Sequence, residues 1–73
     1  MVKKFTHDTG TIEVTKEKDI IRVNPVEKEG EIEVNRHQSK ESLFQEIEDK
    51  MNLMYAGSPS VVKDFIAWLE VVL

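Results

Sequence analysis

The sequence contains no cysteine. No disulfide can staple the fold, and no thiolate is present to hold zinc or attack a substrate. Glycine is scarce, with three residues that never cluster. A phosphate-cradling loop needs several close together, so that chemistry is excluded. Positive charge is also short: 10 Lys and Arg face 14 Asp and Glu, for a formal net charge of −4. A non-specific nucleic-acid binder needs surplus cations to displace counterions. Basic residues cluster only at Lys3-Lys4, and no aromatics interleave with them to stack on bases. Direct nucleic-acid binding is therefore not expected.

Long hydrophobic runs are missing too. The most apolar stretch, Phe65 to Leu73, is broken by Glu70 and falls far short of the ~20 residues that span a bilayer. No apolar segment follows the Lys3-Lys4 pair, so the opening does not read as a signal peptide. The expectation is a cytoplasmic protein with no membrane partner.

The chain has 73 residues. That length fits one domain, 1–73, of a size that buries only about 60% of its unfolded surface. Within it the hydrophobic period changes once. Ile12 and Val14, Ile21 and Val23, and Ile32 and Val34 each alternate with polar residues. Period 2 with β-branched residues is the mark of half-buried antiparallel strands. Asp8-Thr9-Gly10, Glu17-Lys18-Asp19 and Glu27-Lys28-Glu29-Gly30 separate them as turns. Gly10 and Gly30 are expected to supply positive φ there. Pro25 lacks a ladder donor and suits a strand end or an edge. The segments Gly10–Thr15 and Gly30–Asn35 echo one another, which reads as two strands leaving hairpin turns.

From Ser39 onward the period becomes helical. Ser39 and Ser42 are candidate N-caps, and Ser42 to Gln45 has capping-box spacing. Leu43, Phe44, Ile47, Met51, Met54 and Tyr55 share an arc of about 120°. Gly57 is a natural stop, and Ser58-Pro59 a restart with proline in the first turn. The final helix is apolar over about 220° of its circumference. It carries Val61, Val62, Phe65, Ile66, Trp68, Leu69, Val71, Val72 and Leu73. One sheet face cannot cover that arc, so the helix should lie between sheet and first helix or continue into a partner chain.

These patterns predict an α+β fold. An antiparallel β-meander of three to four strands lies within 1–38. Two helices, about 40–56 and 59–72, follow it and pack on one face of the sheet. The predicted core is Ile12, Val14, Ile21, Val23, Ile32, Val34, Leu43, Ile47, Met51, Phe65, Ile66 and Leu69.

No catalytic, cofactor-binding or metal-binding set is legible. Asp8-Thr9-Gly10 has the short motif of aspartic proteases, whose chemistry needs paired carboxylates; here it reads as a polar hairpin turn. His7 and His37 lack metal-ligand spacing and read as solvated loop residues. No nucleophile–base–orienter set stands out. The chain is expected to be no enzyme and to need no cofactor. Two candidate surfaces remain. Trp68, Val71, Val72 and Leu73 form a candidate interface at the end of the last helix. Glu13, Glu31 and Glu33 form a candidate acidic face on the open side of the sheet, which can also serve to protect an edge.

Ser39 to Ile47, with Val61 to Leu69, resembles the C-terminal helix pair of PqqD-like peptide-recognition domains. The resemblance covers about half the chain and carries over no site residues. It implies three strands before a helical part, with a peptide held as an added strand between a sheet edge and a helix.

The function expected is a small non-enzymatic protein-binding or regulatory module. It would bind a larger protein partner as a homodimer, in the manner of a phage or bacterial accessory protein. The alternatives are peptide capture at a sheet edge and an acidic nucleic-acid mimic that inhibits a basic partner. The acidity is uneven. Residues 1–38 carry seven cations and eight carboxylates, whereas residues 39–73 carry three and six.

Overall fold

The computed structural model of the chain describes residues 2–73. Four strands come first: β1 (Val2–His7), β2 (Gly10–Lys16), β3 (Ile20–Pro25) and β4 (Ile32–Asn35). Two helices follow, α1 (Lys40–Met54) and α2 (Pro59–Val72). The sheet order is β1-β2-β3-β4, all antiparallel. It is a four-stranded meander, one strand more than the PqqD-like pattern implies.

Alternation sorts the side chains. Val14 lies opposite Val23, Ile21 opposite Val34, and Val23 opposite Ile32. One sheet face therefore presents Ile12, Val14, Ile21, Val23, Ile32 and Val34, all buried. Both helices cover that face. Helix α1 contributes Leu43, Ile47 and Met51, and α2 contributes Val62, Phe65 and Leu69. Complete burial of a residue such as Phe65 or Leu69 stabilises by about 1.5–3 kcal/mol. Tyr55 and Val62, placed on the apolar arcs of the two helices but not in the predicted core, join it. Ile66, expected inside, is half-buried on the α1 side.

The wide apolar arc of α2 is divided among three neighbours. The sheet takes Val62, Phe65 and Leu69. At the β1 side, Trp68 packs on Phe5 with ring centroids 5.5 Å apart. Toward α1, Ile66 shares a cleft with Phe44. The helix does not lie between sheet and α1; the two helices lie side by side in one layer.

The caps and turns refine the local reading. Ser39 is the N-cap of α1, its Oγ accepting from the Ser42 backbone N–H at 3.2 Å. Ser42 does not cap; its hydroxyl donates to Gln38 Oε1 at 2.5 Å. Ser58 gives α2 no side-chain cap, and Pro59 starts the helix. Of the glycines only Gly30 has positive φ, at 88°. Gly10 serves in another way: a Cβ there would push aside the Glu27 carboxylate, which holds Tyr55, His7 and the Thr11 N–H. Pro25 ends β3, an inner strand, so it is tolerated as a strand end and not as an edge.

Candidate functional site

Three surfaces carry the polar and unsatisfied chemistry of the molecule. The first is the open sheet face. Arg22 lies directly opposite Glu33 on β4. It donates from Nε to Glu17 at 2.7 Å and from Nη1 to Glu33 at 2.5 Å, and it also bonds Glu31. Hydrogen bonding to Arg22 holds Glu17 below the usual carboxylate range, and bonding first to Glu17 and then to Glu31 raises Arg22. Lys4 pairs with Glu13 at 3.8 Å across β1 and β2. Glu13, Glu31 and Glu33 thus share a face as the sequence suggested, but each has a cation against it.

The second surface is the helix layer. The N-terminal half of α1 and the C-terminal half of α2 enclose an open cleft. Phe44 and Ile66 form its apolar walls, and Glu41, Glu48 and Glu70 its acidic rim, with Lys40 the one cation lining it. The Lys40 ammonium sits 5.6 Å over the Phe44 ring. Among the described residues, no ion pair engages Glu41, Glu48, Asp49, Asp64 or Glu70. Those helical carboxylates therefore lack a cation, Glu48 and Asp49 accepting only from the Gln45 amide, whereas Glu13, Glu31 and Glu33 on the open sheet face each have one.

The third surface is the outer edge of β1. Among the described residues, β1 pairs with β2 alone. Its six residues contain no proline. Beside it lie the half-buried Phe5 and Trp68, and a groove between the end of β1 and the start of α2. Of the candidate interface residues, Trp68, Val72 and Leu73 are half-buried within the chain, whereas Val71 is 85% exposed.

The structure also assembles a cluster that the linear sequence hides. His7 is not a solvated loop residue; it belongs to β1, with a side chain only 7% exposed. Its Nε2 lies 3.1 Å from Glu27 Oε1, and its Nδ1 lies 3.1 Å from Thr9 Oγ1. Tyr55 donates to the same Glu27 oxygen at 2.6 Å, and the Thr11 backbone N–H donates to the other at 3.2 Å. Burial raises the Glu27 carboxyl. The Tyr55 hydroxyl, backbone N–H donors and His7 outweigh it, leaving the group below its ordinary range. Tyr55 is pushed well above the usual phenol range, first by burial and then by Glu27.

Hydroxyl, imidazole and carboxylate are thus in line, as nucleophilic catalysis would require. The Thr9 backbone N–H also points at Nδ1, at 3.4 Å, so the imidazole closes the β1–β2 turn on itself. Glu27 serves as a brace joining that turn, the β3–β4 loop and the end of α1. Asp8 and Thr9 form the loop between β1 and β2. His37 remains exposed and bonds Asp19 at 3.0 Å.

Among the described residues no three His, Cys, Asp or Glu side chains form a group that could hold a metal ion. Among the same residues, no helix is long and apolar enough to cross a membrane. No family model, curated protein or solved structure matches the chain.

Proposed function

We propose that the chain is a small non-enzymatic protein-binding module that regulates a larger partner by holding a basic, amphipathic segment in the α1–α2 cleft. One observation carries this reading: the cleft combines apolar Phe44 and Ile66 with the unpaired carboxylates of Glu41, Glu48 and Glu70. Helix-in-groove recognition uses such a division, with apolar anchors below and complementary charge at the rim. Charge at a rim steers encounter and selects partners more than it adds affinity. The compensated sheet face, by contrast, offers a basic partner little. The same unpaired carboxylates support the nucleic-acid-mimic variant, in which the partner's basic segment would be one that otherwise binds phosphates. A cytoplasmic setting belongs to the same proposal.

The test is a selection from displayed random peptides. Selected sequences should be basic and amphipathic, and should bind more weakly as salt rises. Glu48→Lys with Glu70→Lys should abolish their binding without unfolding the chain. Neutral or acidic ligands, or ligands indifferent to those reversals, would overturn the reading.

A further inference from the structure

The hydrophobic rows of the helix-covered sheet face end in cations, all at one end of the sheet. Lys3 lies opposite Val14, and Lys16 opposite Ile21. Directly opposed residues share a face, so both lysines stand on the side that the helices cover. Arg36 follows Val34 by two residues, and its N–H still bonds across to the Asp19 carbonyl. Alternation gives it the same face. Here α2 stops, at Val72 and Leu73, and two adjoining hollows open beside it. Lys16 and Leu73 border both; Lys3 lines one, and Arg36 and Lys40 line the other. No Asp or Glu side chain lines either.

In a chain of net charge −4 this gathering runs against the average. Snorkelling, in which long stems cover the end of a core while charges reach water, would accommodate each lysine singly. It gives no reason for the carboxylates to stay away. Glu17 and Asp19, in the turn beside Lys16, are engaged by Arg22 and His37. Glu46 pairs with Lys50. Among the described residues no ion pair engages Lys3, Lys16, Arg36 or Lys40. The carbonyl end of α2 offers these four cations only about half a negative charge.

We propose that these hollows bind a soluble phosphate monoester carrying a short apolar group. Charge selects the head: several unpaired cations suit a group of nearly two negative charges better than one carboxylate. Arg36 adds the planar fork that phosphate oxygens match. One of its N–H groups donates to the Glu17 backbone carbonyl at 2.6 Å, which orients the guanidinium and leaves the other N–H groups for an anion. The half-buried Val72, Leu73 and Phe44 supply the apolar seat. The hollows measure about 240 and 340 Å³, the small end of the range for ligand pockets. The cations come from side chains on separate elements, so no glycine-rich loop is needed. Lys40 and Phe44 form the wall shared with the α1–α2 cleft, and the site does not rest on what that cleft binds.

Amide shifts of the full chain, followed by NMR during titration with hexyl phosphate, test this. The shifts should centre on Lys3, Lys16, Arg36 and Leu73, and binding should weaken as salt rises. Inorganic phosphate and hexanol each offer one half of the ligand, and each should bind more weakly by roughly tenfold or more. Lys3→Glu and Lys16→Glu should each weaken hexyl phosphate by about tenfold. Arg36→Lys keeps the charge but loses the fork, and should weaken it too. Lys63→Glu makes the same change of charge on α2 away from the hollows and should leave binding intact. Absence of shifts, or shifts centred elsewhere, would overturn the proposal. Equal losses in Lys63→Glu would reduce the effect to net charge, and hexanol binding as tightly would reduce it to apolar contact; either result sinks the site. Binding to phosphatidic acid vesicles without binding of hexyl phosphate would identify a membrane surface as the occupant and overturn the soluble ligand.

Discussion

Tyr55 and Glu27, 28 positions apart, meet at 2.6 Å, and the phenol donates to the carboxylate. This bond fastens the end of α1 to the β3–β4 loop. His7 and the Thr11 N–H extend it into the first hairpin. A hydrogen bond to a charged group contributes about 1.5–3 kcal/mol. Tyr55→Phe should lower unfolding stability by an amount in that range. Glu27→Gln in the Tyr55→Phe background should then cost less than it does alone. A double-mutant cycle by urea denaturation measures that coupling.

The chain has a single tyrosine, so its ionisation can be followed by ultraviolet absorbance without overlap from another phenol. A free tyrosine titrates near about 10. In the folded protein Tyr55 is raised by burial and by Glu27. Its neutral form is the one that folding favours. The associated stability is complete below the unfolded value and is lost as pH climbs through the folded one. Phenolate should therefore appear late and together with unfolding; a normal titration midpoint in native protein would contradict the buried bond.

On the acid side the sign reverses. Glu27, Glu17 and Glu46 are all held below their ordinary range. Burial opposes the shift at Glu27, but hydrogen bonds from Tyr55 and backbone outweigh it. Arg22 lowers Glu17, and Gln38 leads at Glu46. Their contribution is complete above the unfolded carboxylate value of about 4.3. It is lost as pH falls through the lower folded values. Glu27→Gln should flatten that acid decline, measured as urea midpoints from pH 6 down to pH 2.

The three glycines should respond differently to alanine. At Gly10 the new methyl would strike the Glu27 carboxylate, and at Gly30 it would meet a backbone φ of 88°. Both variants should be destabilised. Gly57 has open space and no positive φ, so Gly57→Ala should be neutral or stabilise by about 0.4–1 kcal/mol. Thermal midpoints of the three variants check the order.

The serine caps offer a parallel contrast. Ser39→Ala should cost about 1 kcal/mol, the usual loss for a capping hydroxyl. Ser58→Ala should change little, because that side chain makes no cap bond. A negligible loss at Ser39 would mean that the α1 cap is not formed in solution.

The strands and helices were legible because each obeys one period. Ile12 with Val14, or Ile47 with Met51, announce their face without help from distant residues. Tyr55 and Val62 were harder. Tyr55 shares the apolar arc of α1 but is its C-cap, just past the last helical residue, where a place on the arc does not by itself fix burial. Val62 lies on an arc so wide that several faces of α2 qualified equally. The His7–Glu27–Tyr55 cluster had no linear trace, since its members come from a strand, a loop and a helix end. The Arg22 cluster was half legible. Alternation assigned Glu31 and Glu33 to the open face, but only strand register reveals that Arg22 stands directly opposite Glu33.

The strand order along the sheet matches the strand order along the chain. Each hairpin therefore closes over a short loop, at small entropic cost. The exception is the packing of α2 on β1, seen in Phe65 and Trp68 against Phe5. That contact joins the final element to the first and must wait for everything between them. The meander can form on microsecond timescales typical of hairpins, and docking of the last helix on β1 is then a late event. Truncating Phe5 or Trp68 should then leave the refolding rate almost unchanged and speed unfolding instead, making this seam the clasp that governs how long the native state lasts.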